Sequence, residues 1–573
     1  MKVFQSRFLA IGIVVLFVAG LASAGEKTSR KRLKRSKAPV TITVTPWGPS
    51  EADRQAAMAR AEASGAVQSM LKGASYRLIS MDYVEKENKT LTPVPPANFR
   101  VVFYDYSNDR TIVAEGDFAG RLPITAHEEF YKPRPSDEEF DAAVALLEKD
   151  SRFTGTLRSG SLKAFKPMPP TTTPEGSNKR LINIGLDPGG TSELREILSV
   201  DIKSGEVLRY SEKAPPTAAA APEACGPASQ SGSGSGSGQY QLAVMQSGSP
   251  LWEMLVFTPN TSSGTNGSGI EVRDVKYKGK MVLKRGHVPV LDVEYVGNAC
   301  GPYRDWQDEH DSFNAPAAGA ANPAPGIRVL ATGQVATTIL ESGTDSGNFK
   351  GVAIYTTDVG MGNETVMVTE MTAGWYRYIM EWRFADDGTI RPRFGFGATS
   401  STCVCNIHNH HVYWRLDFDI VNAANNVFQT ERGRKFLQPV TTEMRTNKKL
   451  ATRRGIVVQN ASGNEAYELI PNVTDGVVDT FGVNDFWALR YKTPTGSPVS
   501  DEIDDGLSCC GTPAAIQINP WVNGESLAGQ DAVIWYGAHF IHSDGANLLD
   551  PDRSGLVISG SHVVGPDIRP IRW

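Results

Sequence analysis

Cys403-Val-Cys405-Asn-Ile-His408-Asn-His410-His411-Val-Tyr-Trp-Arg415-Leu-Asp417-Phe-Asp419 packs three imidazoles into four positions and then alternates apolar with polar residues. Alternation with period two is the pattern of a β-strand, where side chains at i and i+2 share a face. His408 and His410 therefore point one way and His411 the other. A His-x-His pair on a strand suits a borderline metal ion such as copper or zinc, completed by a ligand from elsewhere in the chain.

The surroundings of this stretch are written in the same style. From residue 239 to Trp573, short runs of Val, Ile, Tyr, Phe and Trp alternate with Gly, Asn and Asp turns, and helical patterns are few. More than 300 residues of this kind predict a large, mainly antiparallel β-sandwich. Glu381–Ala385, an Asp387-Gly388 turn and Thr389–Phe396 read as one of its hairpins.

Upstream, two shorter blocks repeat one plan. Ser50-Glu51-Ala52-Asp53 has the form of a capping box and opens an Ala-rich helical stretch to Lys72. Strand-like runs follow at Tyr76–Tyr83, Phe99–Tyr106 and Thr111–Phe118. Ser136-Asp137-Glu138-Glu139 opens a second helix with Phe140, Val144 and Leu147 on one face, followed by runs at Leu181–Leu186, Glu196–Ile202 and Glu206–Tyr210. These are two small α+β modules, residues 47–120 and 121–213. An Ala/Pro/Gly/Ser connector over 214–238 cannot bury apolar surface and links them to the β-sandwich.

Lys2 and Arg7, the apolar run Phe8 to Ala19 and Ala22-Ser23-Ala24 form a secretory leader, cleaved after Ala24. This predicts an exported protein, secreted or periplasmic, with no membrane-spanning segment in the mature chain. Residues 25–46 read as a basic, disordered stretch centred on Lys27 to Lys37, a solvated tail or a tether to an anionic surface. The 573-residue chain carries 58 basic and 63 acidic residues for a net charge of −5, which gives no nucleic-acid signature. Six cysteines in an exported chain favour disulfides, with Cys403 and Cys405 as alternative thiolate ligands.

Four segments, in chain order, resemble the copper amine oxidases, the topaquinone enzymes. Tyr303-Arg304-Asp305-Trp306-Gln307-Asp308-Glu309-His310-Asp311 is similar to the segment in which Trp precedes the family's catalytic Asp by five positions. Thr372-Ala373-Gly374-Trp375-Tyr376-Arg377-Tyr378 resembles the Thr-x-x-Asn-Tyr-Asp-Tyr motif whose central Tyr becomes the quinone. The third segment is His408-x-His410 with Arg415-Leu416-Asp417. The fourth, Trp535-Tyr536-Gly537-Ala538-His539-Phe540-Ile541-His542, looks like the late segment that supplies the third copper ligand. The paired α+β modules also resemble the family's small N-terminal domains.

The resemblance implies oxidative deamination of primary amines by O2, releasing aldehyde, hydrogen peroxide and ammonia. It implies a copper ion on His408, His410 and a third histidine, with His539 first, then His542, then His562. It implies a topaquinone made from Tyr376, Asp311 as the base that removes the substrate's α-proton, and a homodimer. Two positions depart from the family: Trp375 stands in place of Asn, and Arg377 in place of an acid. They support the alternative of a secreted copper-binding protein that keeps the fold and has lost the quinone.

Overall fold

Each α+β module folds because an amphipathic helix covers one face of a four-stranded antiparallel sheet. The computed structural model describes residues 38–84, 93–166, 179–187, 196–209, 238–264, 267–295, 303–358, 362–399, 404, 407–431, 437–477, 484–492, 518–542 and 562–573. The leader, the basic stretch to Lys37, the connector over 214–237 and all six cysteines lie outside the described residues. No helix among the described residues is long and apolar enough to cross a membrane.

Among the described residues the first element is strand β1 (Val40–Pro46), and the first module follows with α1 (Glu51–Ala63), α2 (Gly65–Met70), β2 (Tyr76–Val84), β3 (Asn98–Asp105), β4 (Arg110–Asp117) and β5 (Thr125–Glu129). Both halves of the predicted capping box form: Asp53 N–H donates to Ser50 Oγ at 3.2 Å and Ser50 N–H to the Asp53 carboxylate at 2.9 Å. The predicted single helix is two, because Ser64 caps the start of α2 by accepting from Val67 N–H at 3.3 Å. Ala57, Ala61, Val67 and Leu71 pack on Phe99, Val101, Phe103 and Ile112 of the sheet. That sheet runs on to Glu129, past the boundary expected at residue 120, because β5 pairs with β4.

The second module contains α3 (Asp137–Leu147), α4 (Thr154–Arg158), β6 (Lys163–Phe165), β7 (Leu181–Asp187), β8 (Glu196–Asp201) and β9 (Val207–Arg209). Glu139, at the third position of α3, joins the modules. It receives Ser136 N–H, Arg180 Nε at 2.5 Å and Tyr106 Oη at 2.5 Å, so a buried carboxylate is fully satisfied from both sides.

The sandwich comprises β10 (Gln239–Gln246), β11 (Ser249–Phe257), β12 (Glu271–Tyr277), β13 (Lys280–Tyr295), β14 (Tyr303–Arg304), β15 (Ala321–Ala324), β16 (Ile327–Val329), the single-turn α5 (Ile339–Ser342), β17 (Val352–Asp358), β18 (Asn363–Ala373), β19 (Tyr376–Ala385) and β20 (Ile390–Ala398). It continues with β21 (His408–Phe418), β22 (Asn425–Thr430), β23 (Gln438–Val440), β24 (Met444–Thr446), β25 (Gly455–Asn460), β26 (Ala466–Ile470), β27 (Phe486–Arg490), β28 (Ala532–His542), β29 (His562–Val564) and β30 (Asp567–Arg572).

Two sheets result. One runs β1-β10-β11-β12-β13-β21-β28-β27-β24, with β14 beside β13; the other runs β15-β16-β17-β18-β19-β20-β30-β26-β25-β22-β23, with β29 beside β20. Their facing sides form one core that includes Trp252, Trp414 and Ile534 from the first sheet and Met367, Trp382 and Phe394 from the second. Two indoles tie the sheets together, Trp252 Nε1 donating to Ala385 O at 2.9 Å and Trp382 Nε1 to Ile270 O at 2.8 Å. The predicted hairpin is the β19–β20 turn, where Gly388 sits at φ 87° and a Cβ would meet the Tyr277 ring at 2.7 Å.

A further expectation is corrected. Residues 40–46, read as the end of a disordered stretch, form β1, which pairs in register with β10 from Val40↔Gln246 to Pro46↔Tyr240. The strand is Thr- and Val-rich, a composition that the neighbouring basic run conceals.

Candidate metal and tyrosine site

The alternation along β21 decides what faces the core. His408 and His410 point between the sheets with Val412, Trp414 and Leu416, whereas His411 points away with Tyr413. β28 lies beside β21 in a register that sets His542 opposite His408 and His539 opposite His411. His408, His410 and His542 therefore share the interior face. Ring centres are 4.9 Å apart for His408–His410 and 4.7 Å for His408–His542. A fourth buried imidazole, His562 on β29, reaches in from the other sheet with its ring 5.6 Å from that of His542.

His539 is on the opposite side. Its Nδ1 is 2.7 Å from His411 Nδ1, and its Nε2 is 2.9 Å from Asp485 Oδ1. The structure thus does not bring His539 to His408 and His410; His542 occupies the place expected of it.

The interior histidines fit a metal ion. Burial, reinforced by the neighbouring imidazoles, holds His410 well below the usual histidine range, so its ring is neutral and its nitrogen lone pair is available. Its Nε2 is buried and has no hydrogen-bond partner. Three imidazoles in a buried, aromatic pocket are the donor set of a copper or zinc site.

Tyr376 begins β19, immediately after a two-residue loop. Ala373 pairs with Tyr376, and Gly374 takes φ 60°, the glycine-first pattern of a type II′ hairpin. The Tyr376 ring faces inward, fully buried, 5.1 Å from the ring of His410 and 5.6 Å from that of His408. Its hydroxyl is hydrogen-bonded to that of Tyr295 at the end of β13, and Trp375 Nε1 donates to Tyr295 Oη at 3.2 Å. Burial, then Tyr295, keeps the Tyr376 hydroxyl well above its usual range, and therefore protonated. Outside, Phe165 of the second module packs edge-on against Trp375 with ring centres 6.1 Å apart.

Two strand positions further on, Tyr378 donates its hydroxyl to Asp305 Oδ2 and lies 3.5 Å from His410 Nδ1. Asp305 is buried; its other oxygen has no hydrogen-bond partner. Burial raises its carboxyl well above the ordinary range; the Tyr378 bond opposes the shift and Asp292 adds to it. Asp305 also contributes to raising Tyr376, which places the two groups within electrostatic reach.

Asp311 sits elsewhere. Its N–H donates to Glu370 O at 2.8 Å, so it joins the β18 edge on the face away from Tyr376. There its carboxylate is paired with Arg377 Nε, which also meets Asp345 Oδ1 at 2.7 Å. Arg377 Nη1 donates to Thr372 Oγ1 at 2.8 Å, Gly374 O at 3.1 Å and Tyr376 O at 2.9 Å, closing the loop from beneath. Tyr376 and Arg377 are successive strand residues and so face opposite sides. Asp308 and Glu309 are also engaged, by Arg134 at 2.6 and 3.1 Å.

Asp305 lies in the same segment as Asp308, Glu309 and Asp311, the acid expected as the base. Choosing among closely spaced carboxylates requires knowing which face of the sheet each one meets, and a segment with no periodicity does not carry that information. At the far end of β21, Asp417, Asp419 and Asp531 bring carboxylate oxygens within 4.8 Å of one another, a hard-oxygen donor set of the calcium type.

No protein-family model matches the sequence, and no curated protein matches it. Solved structures do. A copper-containing benzylamine oxidase from Hansenula polymorpha superposes with a TM-score of 0.58 at 14% identity, covering 92% of this chain and 97% of that one. A lysyl oxidase from Pichia pastoris gives 0.54 at 12% identity, covering 96% and 92%. An amine oxidase from Aspergillus nidulans gives 0.51 at 13% identity, covering 95% and 90%. The two small modules and the large sandwich together have the fold of the copper amine oxidases.

Proposed function

We propose that the protein oxidises primary amines with O2, using a copper ion held by His408, His410 and His542 and a topaquinone derived from Tyr376. The observation that carries this reading is the seating of the Tyr376 ring 5.1 and 5.6 Å from two imidazoles of the metal-binding face. When bound, the copper and the quinone together supply the two-electron chemistry that turns amine into aldehyde and O2 into hydrogen peroxide.

The remaining roles belong to side chains. Asp305 replaces Asp311 as the general base: it lies on the interior face, and a buried carboxyl with a raised pKa is suited to take a proton near neutral pH. Tyr378 orients Asp305 through its hydroxyl. Tyr295 holds the Tyr376 hydroxyl, and Trp375 Nε1 in turn donates to Tyr295. Phe396, 5.1 Å from Tyr376 and 4.2 Å from His410, closes the apolar wall that excludes water.

A second reading, a copper-binding protein without the quinone, is favoured by the bond from Tyr295 to the precursor hydroxyl, with Tyr295 itself held by Trp375 Nε1. One experiment separates the two. Copper-reconstituted, aerated protein is treated with phenylhydrazine, and the peptide containing Tyr376 is examined by mass spectrometry. A hydrazone adduct on Tyr376 supports the oxidase; an unmodified tyrosine in protein holding stoichiometric copper leaves the second reading.

A further inference from the structure

His562 is the polar group that the roles above leave unused. It is 2% exposed, enters from the sheet opposite His408 and His410, and stacks on Phe540 with ring centres 4.8 Å apart. Neither of its ring nitrogens has a hydrogen-bond partner. Burying an imidazole with both nitrogens unsatisfied is penalised for each lost partner, so a core position would ordinarily hold an apolar residue. Phe396, which pairs with His562 across the β20–β29 ladder, shows that an aromatic ring fits this layer.

The spacing of the rings gives the reason. With a metal–nitrogen bond of about 2.0 Å, an imidazole centre lies roughly 3.1 Å from the ion. Two such centres are then about 4.4 Å apart at a right angle, about 5 Å at the tetrahedral angle and about 6.2 Å when trans. The His408–His410, His408–His542 and His542–His562 separations of 4.9, 4.7 and 5.6 Å all fall in that range.

We propose that His562 is a fourth imidazole ligand, so that the metal is bound by His408, His410, His542 and His562, two strands of one sheet and one of the other. This rests on the metal assignment above and extends it. A fourth protein ligand occupies a coordination position that three histidines leave to water. It also makes the ion a cross-link between the two sheets, because β29 belongs to the sheet that carries Tyr376.

The test uses the full chain loaded with Cu(II), comparing wild type, His562→Gln, His562→Phe and His408→Ala. Metal content, chelator competition and electron paramagnetic resonance are read, with no need for turnover. The expected result is a loss of at least about tenfold in copper affinity for both His562 variants, since outer-shell partners alone carry about 10- to 100-fold. The nitrogen hyperfine pattern should fall from four imidazoles to three. Unchanged affinity and spectrum in His562→Gln and His562→Phe, with copper lost in His408→Ala, would overturn the fourth ligand and keep the three-histidine site. Full copper retention in His408→Ala would overturn the metal assignment itself and the fourth ligand with it. His562→Phe retains the stack on Phe540, so a folding defect in one variant does not decide the outcome.

Discussion

His411 and His539 face each other across β21 and β28 with their Nδ1 atoms 2.7 Å apart, on the side of the sheet that Tyr376 does not see. The same ladder, three positions on, sets His408 against His542 on the inner side. One register thus builds two histidine pairs with different surroundings. The outer pair is anchored by Asp485, whose carboxyl lies below its usual range; burial opposes that shift, and the His539 bond and the buried Lys448 more than offset it. Lys448 Nζ in turn donates to Asp475 O and Gly537 O at 2.7 and 2.6 Å.

His542→Ala is expected to weaken copper binding by at least about tenfold, and His539→Ala to leave it unchanged. The second variant instead loses stability, by about 2–3 kcal/mol, because Asp485 and Lys448 stay buried without the imidazole. Metal analysis beside a urea melt checks both. Copper loss in His539→Ala with retention in His542→Ala would reverse the assignment.

The two aspartates separate in the same manner. Asp305→Asn should lower turnover by about 10²–10⁴ while leaving metal content unchanged, as expected for loss of a general base. Asp311→Asn should leave turnover within about threefold, since no step is assigned to it. Steady-state rates with a simple primary amine decide; comparable large losses in both variants would sink the choice of Asp305.

Arg377 carries two buried carboxylates and three contacts beneath the loop that bears Tyr376. Arg377→Met should cost about 3–5 kcal/mol, the usual penalty for leaving buried charges without their partner. Adding Asp345→Asn should recover part of that loss, and denaturant midpoints of the single and double variants measure it. Additive losses would contradict the pairing.

His310 offers a pH signature away from the metal. Burial, then Lys350, lowers it from 6.5 to about 4. The unfolded chain therefore binds a proton below pH 6.5 that the folded chain refuses until about pH 4. Its contribution is complete above pH 6.5 and is lost as pH falls toward 4. Between pH 7 and 4.5 wild type should lose about 2 kcal/mol more stability than His310→Gln, at about 1.4 kcal/mol per pH unit. Parallel pH profiles for the two proteins would contradict this.

Legibility in the sequence followed periodicity. The period-two runs of the sandwich, the helix starts at Ser50 and Ser136 and the split of His408 and His410 from His411 are local properties, and local rules carry them. The third histidine is a matter of register between strands more than 100 residues apart, and shifting that register by one residue would exchange the faces of His539 and His542. Asp305 and Asp311 differ only in which side of a sheet they meet, a tertiary fact. Glu139, by contrast, was legible as part of a helix start and illegible as the joint between modules, since Arg180 and Tyr106 reach it from distant parts of the chain.

The pairing of β1 with β10 alters what the N-terminal half is. Both α+β modules lie between two adjacent strands of one sheet, so in topological terms they are a long insertion and not an appendage. The sandwich cannot complete that edge until synthesis has passed Gln246, leaving the first strand waiting through the whole insertion. A fragment beginning at residue 239 would expose the backbone edge of β10 to any strand that could replace β1, and edge-to-edge association would be its characteristic failure.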